Sequence, residues 1–253
     1  MLKIQGFGSL NEEALNFGSF IHKVFELGYK ENDPKGLMKL AEQTRSTYHI
    51  PFQMNDRIKK CIENFILWNS KLGETIATET PFEEWLDEKN DIKFNGVIDR
   101  IIKGKDGGYL VIDYKTSKNE KKKKDLLEDK QMIGYAYAIS KKYNVELSKI
   151  VCAHYYPLTG NFIPVTFSAF QIWNWKKKEI DKVWRIRKKT KDDFPPQKNI
   201  FCDWCEFKPA CEKFNSKEEV CKRLDEQIKK RDLLKEQKEV AKETPKEDPK
   251  PSS

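Results

Sequence analysis

Asp99, Asp113 and Lys115 fall within one short stretch, Phe94 to Thr116, which reads FNGVIDRIIKGKDGGYLVIDYKT. Val97, Ile98, Ile101 and Ile102 bracket Asp99, and an apolar run from Tyr109 to Ile112 leads into Asp113, Tyr114 and Lys115. Between the two runs lies Asp106-Gly107-Gly108, which is turn chemistry: glycine accepts positive φ and an aspartate bonds its own backbone. The stretch therefore predicts a β-hairpin that brings Asp99 close to Asp113 and Lys115. Residues two apart on a strand point to the same face, so Asp113 and Lys115 share one. Burying two carboxylates and an ammonium unpaired costs several kcal/mol each. On rigid strands they suit a divalent cation and a phosphate.

Other groups must be brought to that hairpin. In Asn11 to Lys30, Phe17, Phe20, Ile21, Val24, Phe25 and Leu27 recur at helical spacing, with Gly28 as the stop. His22 and Glu26 lie one turn apart on this helix. Pro34 to Leu72 reads as one or two packing helices, with Cys61 buried inside them, and Thr75 to Trp85 as a strand pairing with Phe94 to Ile102, Pro81 being near an edge or bulge. After Lys115 comes a basic loop, Lys118 to Lys124. Its place beside the acidic cluster makes Lys121, Lys122, Lys123 and Lys124 candidate phosphate contacts, against the plain reading of a solvated charge run. Leu126 to Lys142 reads as one helix with Gln131 and Tyr135 one turn apart. Ile150 to Tyr156, with Cys152 in the core, and Asn161 to Phe167 read as strands. Ser168 to Lys189 reads as a long helix with an apolar stripe of Trp173, Ile180, Val183 and Trp184 and a basic end from Arg185 to Lys191. Core packing accounts for those tryptophans better than base stacking does.

Phe194 to Phe214 holds Cys202, Cys205 and Cys211, a CxxC followed by a third cysteine. Without a secretion signal such spacing reads as ligands for zinc or an iron–sulfur cluster rather than as disulfides. The three are expected to converge within a few Å, with Cys61 and Cys152 apart as buried thiols. From Ser216 the chain is a charged tail, helical at first and disordered from Glu243 to Ser253, which separates 1–215 from 216–253.

Of 253 residues, 38% are hydrophobic, 35% charged and 12% aromatic, which is polar but leaves enough for a core. The net charge is +8, and the tail contributes only +1 of it (11 Lys/Arg against 10 Asp/Glu), so the body is basic and suits a polyanion. No stretch reaches the roughly 18 apolar residues of a membrane span, and the first residues have no signal-peptide core. A soluble, cytoplasmic protein with no membrane partner is expected.

Together these segments resemble the PD-(D/E)XK nucleases, in the RecB-like branch that includes the CRISPR-associated RecB-like exonucleases and the AddB nuclease domain. GSFIHKVFE resembles that family's first motif, GVIDR its metal-binding aspartate motif, IDYKT its (D/E)xK signature, QMIGY its QxxxY motif and CDWCEFKPAC its C-terminal cysteines. The resemblance covers roughly Asn16 to Phe214. It implies an α/β fold with a central mixed sheet flanked by helices, followed by a cysteine knuckle. It also implies His22, Asp99, Asp113 and the Tyr114 carbonyl as ligands of Mg²⁺ or Mn²⁺, and Lys115 as the residue that orients the attacking water. Gln131 and Tyr135 would position the substrate strand, and Glu26 would support the site or bind a second metal. The activity implied is hydrolysis of DNA, as an exonuclease on single-stranded ends in recombination, repair or phage DNA metabolism in a bacterial or phage-infected cell, with a helicase or recombination partner. In cluster-bearing members a cysteine precedes the first motif, whereas none of the 21 residues before His22 is one. Either an upstream segment is lacking, the fourth ligand is replaced, or the cluster is lost, so a labile [4Fe–4S] cluster or Zn²⁺ is expected. A nucleic-acid-binding module with a weak site, or a zinc-knuckle interaction protein, is the alternative.

Overall fold

The central strand is β3 (Tyr109–Tyr114), whose apolar run is buried on both faces. In the computed structural model, which describes residues 12–202 and positions 205, 207, 208, 211, 213–216, 218–222, 225, 226 and 229, β3 lies in a five-stranded sheet. Its neighbours are β2 (Ile92–Lys103), antiparallel to it, and β4 (Ile150–Tyr156), parallel to it. The long β1 (Glu74–Asp87) and the short β5 (Asn161–Val165) form the edges, giving the order β1-β2-β3-β4-β5. Pro81 thus sits on an edge strand, where a missing N–H costs no ladder bond. The hairpin turn is as expected. Gly107 has φ +77°, and Asp106 accepts from the Gly108 N–H at 3.1 Å.

Helices cover both faces, and side-chain alternation along the strands divides the core between them. On one face α1 (Glu12–Leu27), α2 (Pro34–Arg45) and α3 (Asn55–Asn69) pack Phe20, Phe25, Ile62 and Phe65 against Ile102, Ile112, Tyr114 and Tyr155. On the other, α5 (Lys130–Tyr143) and α6 (Ala169–Arg187) pack Met132, Ile139 and Trp175 against Ile98, Ile101, Val111 and Cys152. Cys61 and Cys152 are buried in opposite halves of this core. At Gly134 the helix α5 comes so close to the sheet that a Cβ would stand 2.3 Å from the Phe94 ring. Arg100, 3% exposed, holds β2 to α3 and β1 through Asn69 (2.7 Å) and Thr75 (2.6 Å).

Two expectations need correction. The segment from Leu126 to Lys142 is not one helix. A short α4 (Lys123–Leu126) ends first, and α5 restarts at Lys130 because the Asp129 carboxylate caps it, accepting from the N–H groups of Gln131 and Met132. On α6, Trp173 and Trp184 do not face the core, being 58% and 38% exposed. Ile172 and Trp175 are buried instead, with Ile180 and Val183 packed beside them, since the helix turns through about 100° per residue.

Residues Glu13–Lys189 form one compact unit, and Met1–Glu12 with Thr190–Ser253 another. In the second unit, residues 218–222 are helical, and the tail expected to be disordered from Glu243 lies outside the described residues.

Candidate metal centre

The β2–β3 hairpin does what its sequence suggests. Arg100 pairs with Ile112, so Asp99 and Asp113 stand at the next step of the ladder. Asp99 Oδ2 accepts from the Tyr114 N–H at 2.7 Å. Beyond β3 the ladder continues for one residue, the Lys115 N–H donating to the Tyr155 carbonyl at 2.9 Å, and this fixes the base of the lysine. Its ammonium lies 2.6 Å from Asp113 Oδ2.

Helix α1 brings His22 over the end of β3. Its Nε2 lies 2.9 Å from the Tyr114 carbonyl oxygen, while Nδ1 stands 3.5 Å from Asp99 and 3.8 Å from Glu79. Glu79 is a site residue that the sequence reading missed. The β1–β2 register passes from Thr78–Arg100 to Thr80–Ile98, so Glu79 faces Asp99 across the ladder. Its φ of 42° is left-handed, a costly conformation for glutamate. His22, Glu79 and Asp99 offer three ligand atoms within 4.8 Å of one another. His22 and Glu79 open into a cleft of about 480 Å³ that is also lined by Lys23, Glu26 and Thr116. Glu26 shares this cleft, but its carboxylate is bound to Lys23 at 2.8 Å.

His154, fully buried, was also missed. It stands opposite Asp113 on the parallel strand, with Nε2 3.7 Å from Asp113 Oδ2 and Nδ1 3.3 Å from the Tyr156 hydroxyl. Gln131 and Tyr135 complete the surround. The Gln131 amide donates to the Tyr135 hydroxyl (2.7 Å) and accepts from Lys115 (3.2 Å); Tyr135 donates to the Val97 carbonyl (2.7 Å) and lies 3.5 Å from Asp113. The QxxxY pair thus contacts the lysine and the aspartate as well as facing the site.

Charge is held under strain here. Burial pushes the Asp99 carboxyl up to about 7, with Asp113 adding to the rise against the pull of His22. Burial works against charging His22, yet Glu79, Asp99, the Tyr114 carbonyl and Asp113 together raise its pKa. The two therefore titrate as a pair competing for a proton. His154 goes the other way, lowered by its burial. Asp113 Oδ2 is buried and accepts no directed hydrogen bond despite its close ion pair. Carboxylates, a carbonyl and one imidazole, with a buried acceptor left over, fit a hard divalent cation such as Mg²⁺ or Mn²⁺.

The basic loop divides. Lys121 binds Asp129, the cap of α5, and so serves the fold first. Lys122, Lys123 and Lys124 are exposed and have no ion pair among the described residues. The three cysteines expected as ligands are not grouped among the described residues, and several positions between them lie outside those residues. Among the described residues only His22, Glu79 and Asp99 form a group able to hold a metal, and Cys202 Sγ instead accepts from the Asn199 N–H at 3.2 Å.

A family model described as the PD-(D/E)XK nuclease superfamily matches residues 4–212. The chain belongs to the PD-(D/E)XK nuclease superfamily. Its mixed sheet with helices on both faces agrees with that family's core. The chain is also similar to an ATP-dependent helicase/deoxyribonuclease polypeptide of Streptococcus mutans serotype c (strain ATCC 700610 / UA159), 27% identical over 135 residues. That match covers 47% of this chain but only 12% of the Streptococcus protein. Among the described residues no helix is long and apolar enough to cross a membrane.

Proposed function

We propose that this PD-(D/E)XK nuclease is a Mg²⁺- or Mn²⁺-dependent deoxyribonuclease that hydrolyses phosphodiester bonds, acting as an exonuclease on single-stranded ends. The observation that carries the reading is the meeting of His22, Glu79 and Asp99, with the Asp113–Lys115 pair on the paired strand and its extension, at the floor of a cleft that His22 and Glu79 line. In this reading Asp99, Asp113, His22, Glu79 and the Tyr114 carbonyl hold the cation. When bound, a divalent cation there supplies Lewis acidity to a water and to the scissile phosphate. Lys115 orients the attacking water and stabilises charge on the phosphate oxygens as the bond forms. Gln131 and Tyr135 keep the Lys115 ammonium and the Asp113 carboxylate in register while they guide the strand. His154, neutral and buried, fixes Asp113 from the far side. Lys122, Lys123 and Lys124 hold backbone phosphates.

DNA as substrate follows the name of the Streptococcus relative, as does the expectation of a helicase partner, and a role in recombination or repair is part of the same proposal. We place the protein in the cytoplasm, for use in cellular or phage DNA metabolism. The test is cleavage of a labelled single strand with Mg²⁺ or Mn²⁺. Asp113→Asn and Lys115→Ala should each lower the rate by at least about a thousandfold, with melting temperatures retained. Wild-type rates in both variants would remove these residues from catalysis. Tight binding without cleavage in the wild type would favour a nucleic-acid-binding module.

A further inference from the structure

Gln131, which contacts Lys115, is preceded by Lys130, and Lys130 lines a second groove between the start of α5 and α6. This groove has a volume of about 570 Å³. Its α6 wall carries Lys178, Lys182 and Arg185, and Trp175 lies beneath. The Trp175 indole N–H is buried and has no acceptor. Glu128 and Glu179 also line it, but Glu179 is already bound by Lys130 (3.2 Å) and by Lys182. Lys178 and Arg185 are exposed and have no ion-pair partner among the described residues. The same two residues line an adjoining hollow of about 530 Å³ with Asp181, Trp184 and Lys188. The two hollows therefore share the Lys178–Arg185 stretch of α6 as a wall.

At the far end Trp184 offers a ring. Arg187 lies 5.4 Å from its centroid and is itself anchored, donating to the carbonyls of Asn90 (2.7 Å) and Asp91 (2.9 Å). A cation fixed over one side of a half-exposed indole leaves its remaining surface as a rigid platform. A planar base stacks on such a surface whatever its identity, while unpaired lysine and arginine side chains nearby meet the phosphates. Free cations in a groove, an aromatic platform at its end, and a wall that includes the sequence neighbour of Gln131, the residue that contacts Lys115, together suit a polyanion with exposed bases. A rigid duplex offers no unstacked base to Trp184.

We infer that the α5–α6 groove and the outer end of α6 form a track for single-stranded DNA, holding the strand beyond the cleavage site. This rests on the nuclease reading above. From Lys178 to Lys188 the helix rises about 15 Å, room for roughly four stacked nucleotides. The track therefore matters for long strands and not for short ones.

The test uses the full chain and two oligothymidylates, one of roughly 20 nucleotides and one of roughly 4, too short to span both the site and the track. Binding is read by fluorescence anisotropy in EDTA, and cleavage by product release with Mg²⁺ or Mn²⁺. In Lys178→Gln/Arg185→Gln, affinity for the long strand should fall by about tenfold, and its salt slope should flatten by about 1.4. Trp184→Ala should weaken the long strand by at least about fivefold with the slope unchanged. Cleavage of the short strand and the melting temperature should hold in both variants. Unchanged long-strand affinity, an equal loss on both strands, or an equal loss on duplex DNA would overturn the track. Absence of cleavage by the wild type would instead strike the nuclease reading, and the binding comparison would still judge the track.

Discussion

Asp99→Asn should stabilise the metal-free protein at neutral pH and abolish its stabilisation by metal. Asp99 is 8% exposed, and its carboxyl is raised from 3.8 to about 7, chiefly by burial. A raised folded-state pKa contributes stability that is complete below the unfolded value and is lost as pH rises through the folded one. Between about pH 4 and pH 7 the metal-free protein therefore gives up as much as about 4 kcal/mol through this group. His22 acts in the same direction, because its raised pKa also loses stability as pH rises. His154 acts oppositely, since a lowered pKa costs stability as pH falls below the unfolded value of 6.5. Comparing wild type with Asp99→Asn at each pH cancels most of the His154 contribution. Asparagine can keep the hydrogen bond from the Tyr114 N–H, so the substitution removes charge with little change of shape. Urea unfolding in EDTA should show the variant more stable by up to about 4 kcal/mol at pH 8, with the gap narrowing as pH falls and closing near pH 4. Mg²⁺ or Mn²⁺ at a hundredfold excess over its dissociation constant should add about 2.7 kcal/mol to the wild type and nothing to the variant. A variant no more stable than wild type at pH 8, with the same gain from metal, would refute both the buried charge and its role as a ligand.

Glu79→Gly should relieve the left-handed backbone, raising metal-free stability by roughly 1 kcal/mol while weakening metal affinity, as urea unfolding and metal titration would show. Changing Lys122, Lys123 and Lys124 to glutamine should flatten the salt dependence of single-strand binding by about 0.7 per lost phosphate contact, read as the slope of log affinity against log salt. Gly134→Ala should cost about 1–3 kcal/mol in unfolding, because its methyl would press on the Phe94 ring, itself wedged against Trp175.

The readable parts of the site are those fixed by local pairing. Asp99, Asp113 and Lys115 sit on one hairpin whose turn residues and alternation declare its register, and that register is present in the fold. Glu79 could not be singled out in the same way. Strand β1 holds Glu74, Glu79, Glu83 and Glu84, and only the β1–β2 register, with a positive φ at one of them, tells which faces Asp99. His154 was hidden in an apolar run, and its meaning comes from the parallel neighbour it meets only after the α4–α5 crossover. On α6 the choice between two overlapping stripes depends on how the helix is rotated on the sheet. That is settled by Phe94 and Tyr137 packing on Trp175, contacts remote in sequence.

The same geometry explains why the chemistry emerges where it does. Strand β3 is covered on both faces, so charged side chains along its middle would be buried without partners. Only at its C-terminal end can the chain bring a half-buried lysine beside the buried Asp113 carboxylate while the backbone remains hydrogen-bonded, as Lys115 is to Tyr155. At that end α1 delivers His22, β1 delivers Glu79 and α5 delivers Gln131, each from an element anchored in one of the two cores. Asp99 and Asp113 are thus held at a spacing that repels unless a cation lies between them. That repulsion adds to the raised Asp99 pKa and favours a divalent cation, so the stability lost with rising pH and the stabilisation by metal should change together in any variant of this pair.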